Sequence, residues 1–306
     1  MQDTRPIAAA VSVLVAMAVI GFIDNFVIVI AQDGGLWQFH ATRTLMALPC
    51  LFVLSVLGLG AIRPNRFWAV AGRSFFVSAS MILYFGSLAF LPISEVAAGL
   101  FTAPIWVLVL SVAALGHKIG PVRITAALLG FAGVLFVLRP DSGSATFASL
   151  VPVAAGLLYA LGALATREWC AGESTLSMMT GMFAAMGLWG LAGVAVLTVL
   201  VPEVPAGSDG FILRGLVAPS GSFLFWTLVQ AAGSIVALWF LVKGYQLGEA
   251  SYSAVFEYSL LIFVALWAYI LRAETLDGWA LTGTALIILS GAVIALRGQA
   301  ETAARP

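Results

Sequence analysis

Long apolar runs separated by short polar joints recur along all 306 residues of the chain. Prolines and charges mark most joints, and the longest polar connection runs from about Pro202 to Pro219. A helix needs about 20 apolar residues to cross a bilayer, and helices satisfy their own backbone hydrogen bonds there. The pattern predicts an all-α polytopic membrane protein with ten transmembrane helices. Their approximate ranges are 7–30, 38–58, 68–90, 94–115, 122–139, 147–167, 175–201, 220–243, 248–271 and 277–296.

Basic residues orient these spans, because Lys and Arg favour the cytoplasmic side of a membrane protein. With the N-terminus inside, ten of the fourteen basic residues, among them Arg73, fall on the inner side. Arg43, Arg139, Arg214 and Arg272 fall on the outer side. The bias predicts a multi-pass protein of the cytoplasmic (inner) membrane with both termini in the cytoplasm.

The composition narrows the classes of function. Hydrophobic residues make up 62% of the chain and charged residues 9%, which leaves too little polar surface for a soluble domain. The formal net charge is zero, so no basic surface for nucleic acid is predicted. The two histidines and two cysteines lack metal-ligand spacing, and no Gly-rich phosphate loop is present. We expect no cofactor, no metal and no enzymatic activity. The expected partners are a small-molecule substrate and the lipid bilayer, and a homodimer is left open.

The pieces Leu91–Arg139 and Gly248–Arg297 match after a shift of 157 residues, which places Phe101 on Tyr258. One further residue of shift places Gly133 on Gly291. The fourth and fifth spans then resemble the ninth and tenth. Five spans per half is an odd number, so the halves must have opposite orientations in the membrane. The pattern predicts two inverted five-helix repeats, 1–140 and 141–306, with a solute site near the midplane between them.

Ten spans, Arg43 early in the second span and the phrase Val137-Leu-Arg-Pro140 closing the first half resemble the EamA family of the drug/metabolite transporter superfamily. The resemblance covers nearly the whole chain and implies a ten-helix secondary transporter. It departs at one position, because the family usually places a glutamate after the fourth span and this chain has His117 there.

Three short motifs resemble the branch of this family that includes riboflavin and S-adenosylmethionine carriers. They are Asp24-Asn25 in the first span, Phe256-Glu-Tyr-Ser259 in the ninth span, and Ala273-Glu274 after it. The branch resemblance implies a heteroaromatic metabolite as the transported solute.

Glu257 lies near the middle of the apolar run from Gly248 to Leu271. A carboxylate at the centre of a membrane helix costs roughly 2.5–3.5 kcal/mol. No cation is predicted at its depth, because Lys243 on the preceding span extends towards the surface. Glu257 and its neighbour Tyr258 are candidate substrate-binding residues, and Glu257 is also the candidate for proton coupling. The alternative for Glu257 is a structural hydrogen bond between helices.

Asp24 and Arg43 lie about six residues from the outer ends of the first two predicted spans, which places them at similar depth. An Asp24–Arg43 pair is therefore predicted, either as part of a substrate site or outer gate, or as a structural clamp. Asn25 is a further substrate-binding candidate, and its alternative is a hydrogen bond to a neighbouring helix.

Aromatic residues inside the spans form a third group of candidates, represented by Tyr84, Trp106 and Tyr159. With Gln230, midway along the eighth span, they are expected to line a mostly apolar cavity for a flat or amphipathic solute. Core packing and lipid contact are the alternatives for each aromatic. Pro104 is expected to kink the fourth span.

These observations predict a secondary transporter that moves a small organic metabolite by alternating access. Amphipathic or heteroaromatic compounds, such as vitamins, nucleoside-like compounds or amino-acid-like compounds, fit the expected cavity. The alternative is an integral-membrane sensor or enzyme built on the same bundle. Against it stand the short tail after Leu296 and the lack of a reactive cluster.

Overall fold

The computed structural model describes residues 5–87, 91, 93–139, 147–273 and 275–303. Helices dominate the described residues, and no strand occurs among them. The thirteen α-helices are α1 (Pro6–Asp24), α2 (Val27–Asp33), α3 (Leu36–Val56), α4 (Phe67–Ser87), α5 (Ile93–Leu100), α6 (Ala103–Ala113), α7 (Pro121–Leu138), α8 (Leu150–Glu168), α9 (Thr175–Leu200), α10 (Gly221–Leu247), α11 (Ala250–Phe256), α12 (Ser259–Arg272) and α13 (Gly278–Ala303).

Ten helical segments of the described chain are long and apolar enough to cross a membrane. This confirms the predicted fold class and places each span close to its predicted range. Seven spans are single helices, whereas the first, fourth and ninth spans are each broken into two pieces, α1–α2, α5–α6 and α11–α12. Many large apolar side chains within the spans are exposed, such as Leu45, Phe52 and Val199, as expected where a helix faces lipid.

The helix packing has a two-fold pattern. The most extensive pairs are α7 with α13, α1 with α10, α4 with α8, and α3 with α9. Exchanging each span with the one five places away converts the α1–α10 pair into the α8–α4 pair, and it returns the α7–α13 and α3–α9 pairs to themselves. This is the packing expected of two five-helix halves. The predicted boundary between residues 140 and 141 lies outside the described residues.

Close contact between α7 and α13 depends on small residues. A Cβ at Gly133 would lie 2.7 Å from the carbonyl oxygen of Gly283. Seven residues away along each helix, the Ser290 hydroxyl donates to the carbonyl oxygen of Ala126 at 2.6 Å. A shift of 157 residues relates Ala126 to Gly283 and Gly133 to Ser290, so the two contacts are equivalents of each other. This is one residue less than the shift that the sequence match predicts for these spans.

The breaks in the fourth and ninth spans also occur within one residue of equivalent positions. The helix is interrupted at Phe101 and Thr102 in the fourth span and at Glu257 and Tyr258 in the ninth. A hydroxyl donates to the backbone in both places: Thr102 donates to the carbonyl oxygen of Gly99 at 2.6 Å.

Ser259, the equivalent of Thr102, donates to the carbonyl oxygen of Phe256 at 2.6 Å. The Gly99 carbonyl oxygen also accepts the Thr102 backbone N–H at 3.1 Å, so the hydroxyl is a second donor there. Pro104 stands just after the first break, where the kink was expected. The break at Glu257 contains no proline.

Candidate functional site

A cavity of about 280 Å³ lies inside the bundle, bordered by residues of both halves of the chain. Apolar side chains supply most of its wall. Both equivalent breaks reach it, through Phe101 in the fourth span and Glu257 in the ninth. The polar and ionisable residues of the wall are Asp24, His40, Arg43, Arg73, Tyr84, Tyr159, Thr166, Gln230, Ser234, Tyr245 and Glu257. In transporters, discontinuous helices at matching places in two repeats characteristically form the solute site.

Glu257 and two tyrosines form the first polar group of the cavity, which we call the Glu257 group. Tyr245, on α10, donates its hydroxyl to the Glu257 carboxylate. Tyr159, on α8, makes a second side-chain hydrogen bond to the same carboxylate. Glu257 forms no ion pair with another described residue, so these two hydroxyls are the groups that hold it. Because the ninth span breaks at Glu257, its side chain can turn away from the helix axis into the cavity.

Asp24, Gln230, Arg43 and His40 form the second polar group, which we call the Asp24 group. Asp24 is exposed although it lies deep in the bundle, because it faces the cavity. The Gln230 side-chain amide donates to the Ile23 carbonyl oxygen at 2.7 Å and is hydrogen-bonded to the Asp24 side chain. Gln230 of α10 therefore supplies the hydrogen bonds to the polar groups at the end of α1.

Arg43 does not pair directly with Asp24 among the contacts of the described residues, which differs from the prediction. The two remain close enough to interact electrostatically. Arg43 Nη2 lies 3.3 Å from His40 Nδ1, and its guanidinium carbon lies 5.0 Å from the Phe39 ring centre. Because arginine can only donate, His40 Nδ1 accepts this hydrogen bond, and a neutral imidazole then carries its proton on Nε2. Both side chains border the cavity, and the predicted equal depth did not ensure contact.

Six of the nine sequence candidates border the cavity: Glu257, Asp24, Arg43, Tyr84, Tyr159 and Gln230. Tyr84 also lies close enough to Asp24 to interact with it electrostatically.

The structure places the other three candidates, Tyr258, Asn25 and Trp106, outside the cavity wall. Tyr258 is fully buried, and its ring packs where Gly130 leaves room. Asn25 Nδ2 donates to the carbonyl oxygen of Gly21 at 2.7 Å, within its own span rather than to a neighbouring helix. Trp106 packs against the main hydrophobic core.

Sequence reasoning missed five polar residues of the wall: His40, Arg73, Thr166, Ser234 and Tyr245. Arg73 was expected on the inner side, but it lies seven residues into α4 and is only 5% exposed. Counting residues from the end of the span, the criterion that identified Arg43, would also have identified Arg73. Tyr245 gave no comparable signal, since an aromatic residue near the end of a span is usually interfacial.

Among the described residues, no group of three or more His, Cys, Asp or Glu side chains is arranged to hold a metal ion. The wall instead provides hydroxyl, amide, carboxylate and guanidinium groups against an apolar background. Such a wall can bind and orient a small organic solute.

The fold and cavity define a polytopic helical membrane protein with an internal cavity at the meeting point of two broken helices. Residues 7–139 match the EamA-like transporter family. The predicted resemblance to the EamA family is thereby confirmed, and the chain is a multi-pass inner-membrane transporter rather than an enzyme.

Curated relatives agree with this family. The chain is 26% identical over 278 residues to a riboflavin transporter of Rhizobium johnstonii, covering 90% of this chain and 84% of the relative. It is 25% identical over 214 residues to an S-adenosylmethionine uptake transporter of Rickettsia felis, covering 68% of this chain and 67% of the relative. These are the two kinds of carrier in the branch that the short motifs resemble.

A solved crystal structure shares the fold, with a TM-score of 0.74 over 94% of this chain and 97% of the other. The two sequences are 16% identical, so this likeness concerns the arrangement of helices alone.

Proposed function

We propose that this protein is a secondary transporter that carries a small heteroaromatic metabolite across the inner membrane by alternating access. The observation that carries the proposal is the cavity where the two equivalent helix breaks meet, with Glu257 held there by two tyrosine hydroxyls. Its volume of about 280 Å³ is at the small end of ligand sites. Its aromatic wall suits a flat ring.

Hydrogen bonds between the halves at both ends of the bundle support alternating access. At one end, the Glu173 carboxylate accepts from the backbone N–H groups of Asn65 at 2.9 Å and Arg66 at 2.6 Å. At the other end, Arg214 Nη1 donates to the carbonyl oxygens of Ala31 at 2.7 Å and Gly34 at 2.8 Å. In the proposed cycle one set breaks while the other holds, as the two inverted repeats, 1–140 and 141–306, rock about the cavity.

The charge bias supports an orientation with both termini in the cytoplasm. The embedded arginines Arg43 and Arg73 carry no weight in this count, because they lie in the cavity wall rather than at a membrane surface. Without them, nine basic residues remain inside and three outside, so the direction of the bias is unchanged. In this orientation the Glu173 contacts lie at the cytoplasmic end.

Glu257 is the proposed proton carrier. The other titratable groups in contact with it are Tyr159 and Tyr245, and phenolic hydroxyls are ordinarily protonated at physiological pH. Proton exchange with water or solute in the cavity therefore falls to the carboxylate. A protonated Glu257 is neutral, so the cavity holds it within the membrane at lower cost than the anion while access changes from one side to the other.

The test is flux in proteoliposomes, with riboflavin as the first solute because of the named relatives. Glu257→Gln keeps the size of the side chain and removes its charge. We expect flux to fall at least about tenfold, since a hydrogen bond to a charged group contributes ~1.5–3 kcal/mol, and the remaining flux to lose its response to a pH gradient. Glu203→Gln, in an exposed loop, is the matched control and should transport normally. Wild-type flux in the Glu257→Gln protein would remove the central claim.

A further inference from the structure

Arg73 is a buried cation that the Glu257 and Asp24 groups do not use. It lies inside the third span, 5% exposed, and borders the cavity. It makes no ion pair with another described residue. A cation at membrane depth is costly and is normally paired or faces a functional cavity.

Described residues accept hydrogen bonds from only two of the three nitrogens of the Arg73 guanidinium. Nε donates to the Thr166 hydroxyl at 3.1 Å, and Nη1 donates to the carbonyl oxygen of Met178 at 3.2 Å. Nη2 has no hydrogen-bond partner among the described residues. These neutral acceptors orient the side chain and leave its charge and one terminal nitrogen for another group.

Neighbouring titratable groups do not neutralise Arg73. The two that interact with it electrostatically are Cys170 and Tyr159. Cys170 lies beyond the end of α8, and burial raises the pKa of its thiol to about 11, so it is uncharged at neutral pH. Tyr159 uses its hydroxyl on Glu257.

The equivalent position of the other half shows that the scaffold does not need a cation there. A shift of 157 residues places Arg73 of the third span on Gln230 of the eighth. Gln230 bonds to the first span, through Ile23, as Arg73 bonds to the sixth span, through Thr166. A neutral amide therefore makes the corresponding interhelical contact, and the charge of Arg73 is an addition to it.

Arg73 also lies close to a second cavity, on the route that a transported solute would take. A second cavity of about 360 Å³ lies at the end of the bundle where α8 ends, lined by Arg167, Ala171, Gly172, Glu173 and Gln246. Thr166, which holds Arg73, borders both cavities.

We propose that Arg73 binds an anionic group, a carboxylate or a phosphate, on the transported solute. Guanidinium groups pair with both by charge-assisted hydrogen bonds. The aromatic wall holds the flat part of the solute, and Arg73 holds its anionic end beside the second cavity. This inference rests on the proposed transport function and specifies the class of solute.

The test compares two pairs of probes that differ in the anionic group, measured by calorimetry on the purified full-length protein. Riboflavin 5′-phosphate against riboflavin reports on phosphate, and indole-3-acetate against indole-3-acetamide reports on carboxylate. We expect the anion of one pair to bind at least about tenfold more tightly than its neutral partner, and the responding pair distinguishes the two anion classes.

Arg73→Gln copies the residue of the equivalent position and should abolish this preference while the neutral probe binds as before. Binding of the neutral probe also shows that the variant is folded. Arg73→Lys should retain part of the preference, because it keeps the charge but loses the fork geometry. Arg63→Gln, an exposed arginine in the connection before the same helix, is the matched control and should keep the preference in full.

Two results would overturn the inference: anions that bind no better than their neutral partners, or a preference that survives Arg73→Gln. Flux of a neutral solute that depends on Glu257 but not on Arg73 would leave the proposed function standing and refute this inference alone.

Discussion

Glu257 is held by hydroxyl groups rather than by a cation, and this determines how it can act. Tyr245 and Tyr159 approach its carboxylate from two different helices. Neutral donors stabilise a carboxylate without fixing it as an ion pair, so a proton or a solute donor can still compete for it. A direct arginine partner would oppose protonation more strongly.

The first prediction concerns Tyr245→Phe, which removes one of these hydroxyls and keeps the ring. Solute flux should fall, because the hydrogen bond to Glu257 contributes ~1.5–3 kcal/mol. The loss should be smaller than for Glu257→Gln, since Tyr159 still donates. Flux in proteoliposomes across a range of pH measures both effects.

Tyr269→Phe serves as the control for Tyr245→Phe, because Tyr269 is 59% exposed on α12, away from the cavity. Equal flux in wild type, Tyr245→Phe and Tyr269→Phe would show that the Tyr245 hydroxyl has no part in transport.

At the scale of helices, the symmetric pairs depend on small residues that let backbones approach. Gly187 and Gly190 of α9 lie against Thr44 and Ala41 of α3. In the α7–α13 pair, Gly133 likewise lies against the backbone of Gly283. Between membrane helices, packing of this kind replaces the hydrophobic driving force that is absent in lipid.

The second prediction is that Gly133→Ala destabilises the protein. A Cβ there would lie 2.7 Å from the Gly283 carbonyl oxygen and 3.1 Å from the Ile287 backbone nitrogen. The overlap involves backbone, which cannot move aside as a side chain does, so we expect a cost of ~1–3 kcal/mol. Thermal unfolding in detergent should show a lower midpoint.

A matched control for Gly133→Ala is Gly86→Ala in α4, where a Cβ would meet nothing within 4 Å. Alanine is the better helix former by about 0.5–1 kcal/mol, so the midpoint should stay constant or rise. A Gly133→Ala protein as stable as Gly86→Ala would contradict the close packing of α7 on α13.

At the scale of the whole molecule, the broken fourth and ninth spans meet at the cavity, which residues of both halves border. The two halves share one pattern of helix pairs but differ in the polar residues of the wall. Glu257 corresponds to Leu100, and Arg73 corresponds to Gln230. The scaffold is therefore symmetric, whereas the solute site is not.

The third prediction tests the orientation by cysteine labelling in a Cys50→Ser background. Ser208→Cys lies in the exposed connection between α9 and α10, and His117→Cys lies between α6 and α7. An impermeant maleimide should label Ser208→Cys in intact cells, and His117→Cys only after the membrane is opened.

Native Cys170 should not interfere with this experiment. It is fully buried, and burial raises the pKa of its thiol to about 11, so the reactive thiolate is scarce at neutral pH. The opposite labelling pattern would reverse the orientation, and labelling of both positions from outside would contradict the three spans assigned between them.

The sequence by itself determined the number and approximate ends of the ten spans, because hydropathy and length are local properties of the chain. It also predicted the family resemblance, the interior position of Glu257 and, through the 157-residue shift, where the two halves correspond. Six of nine proposed cavity residues border the cavity for the same reason: depth in the membrane can be counted along a helix.

Only the tertiary structure decided which way those residues face and what they meet. Tyr258 is adjacent to Glu257 in sequence, yet its ring packs on Gly130 while Glu257 borders the cavity. The helix break at these two residues contains no proline from which it could have been predicted. Tyr245 reaches Glu257 from another helix. Arg73 was assigned to the inner surface until the packing of α4 placed it in the wall. Rotation of a helix about its axis and the identity of its neighbours depend on all ten spans together, so no local pattern contains them.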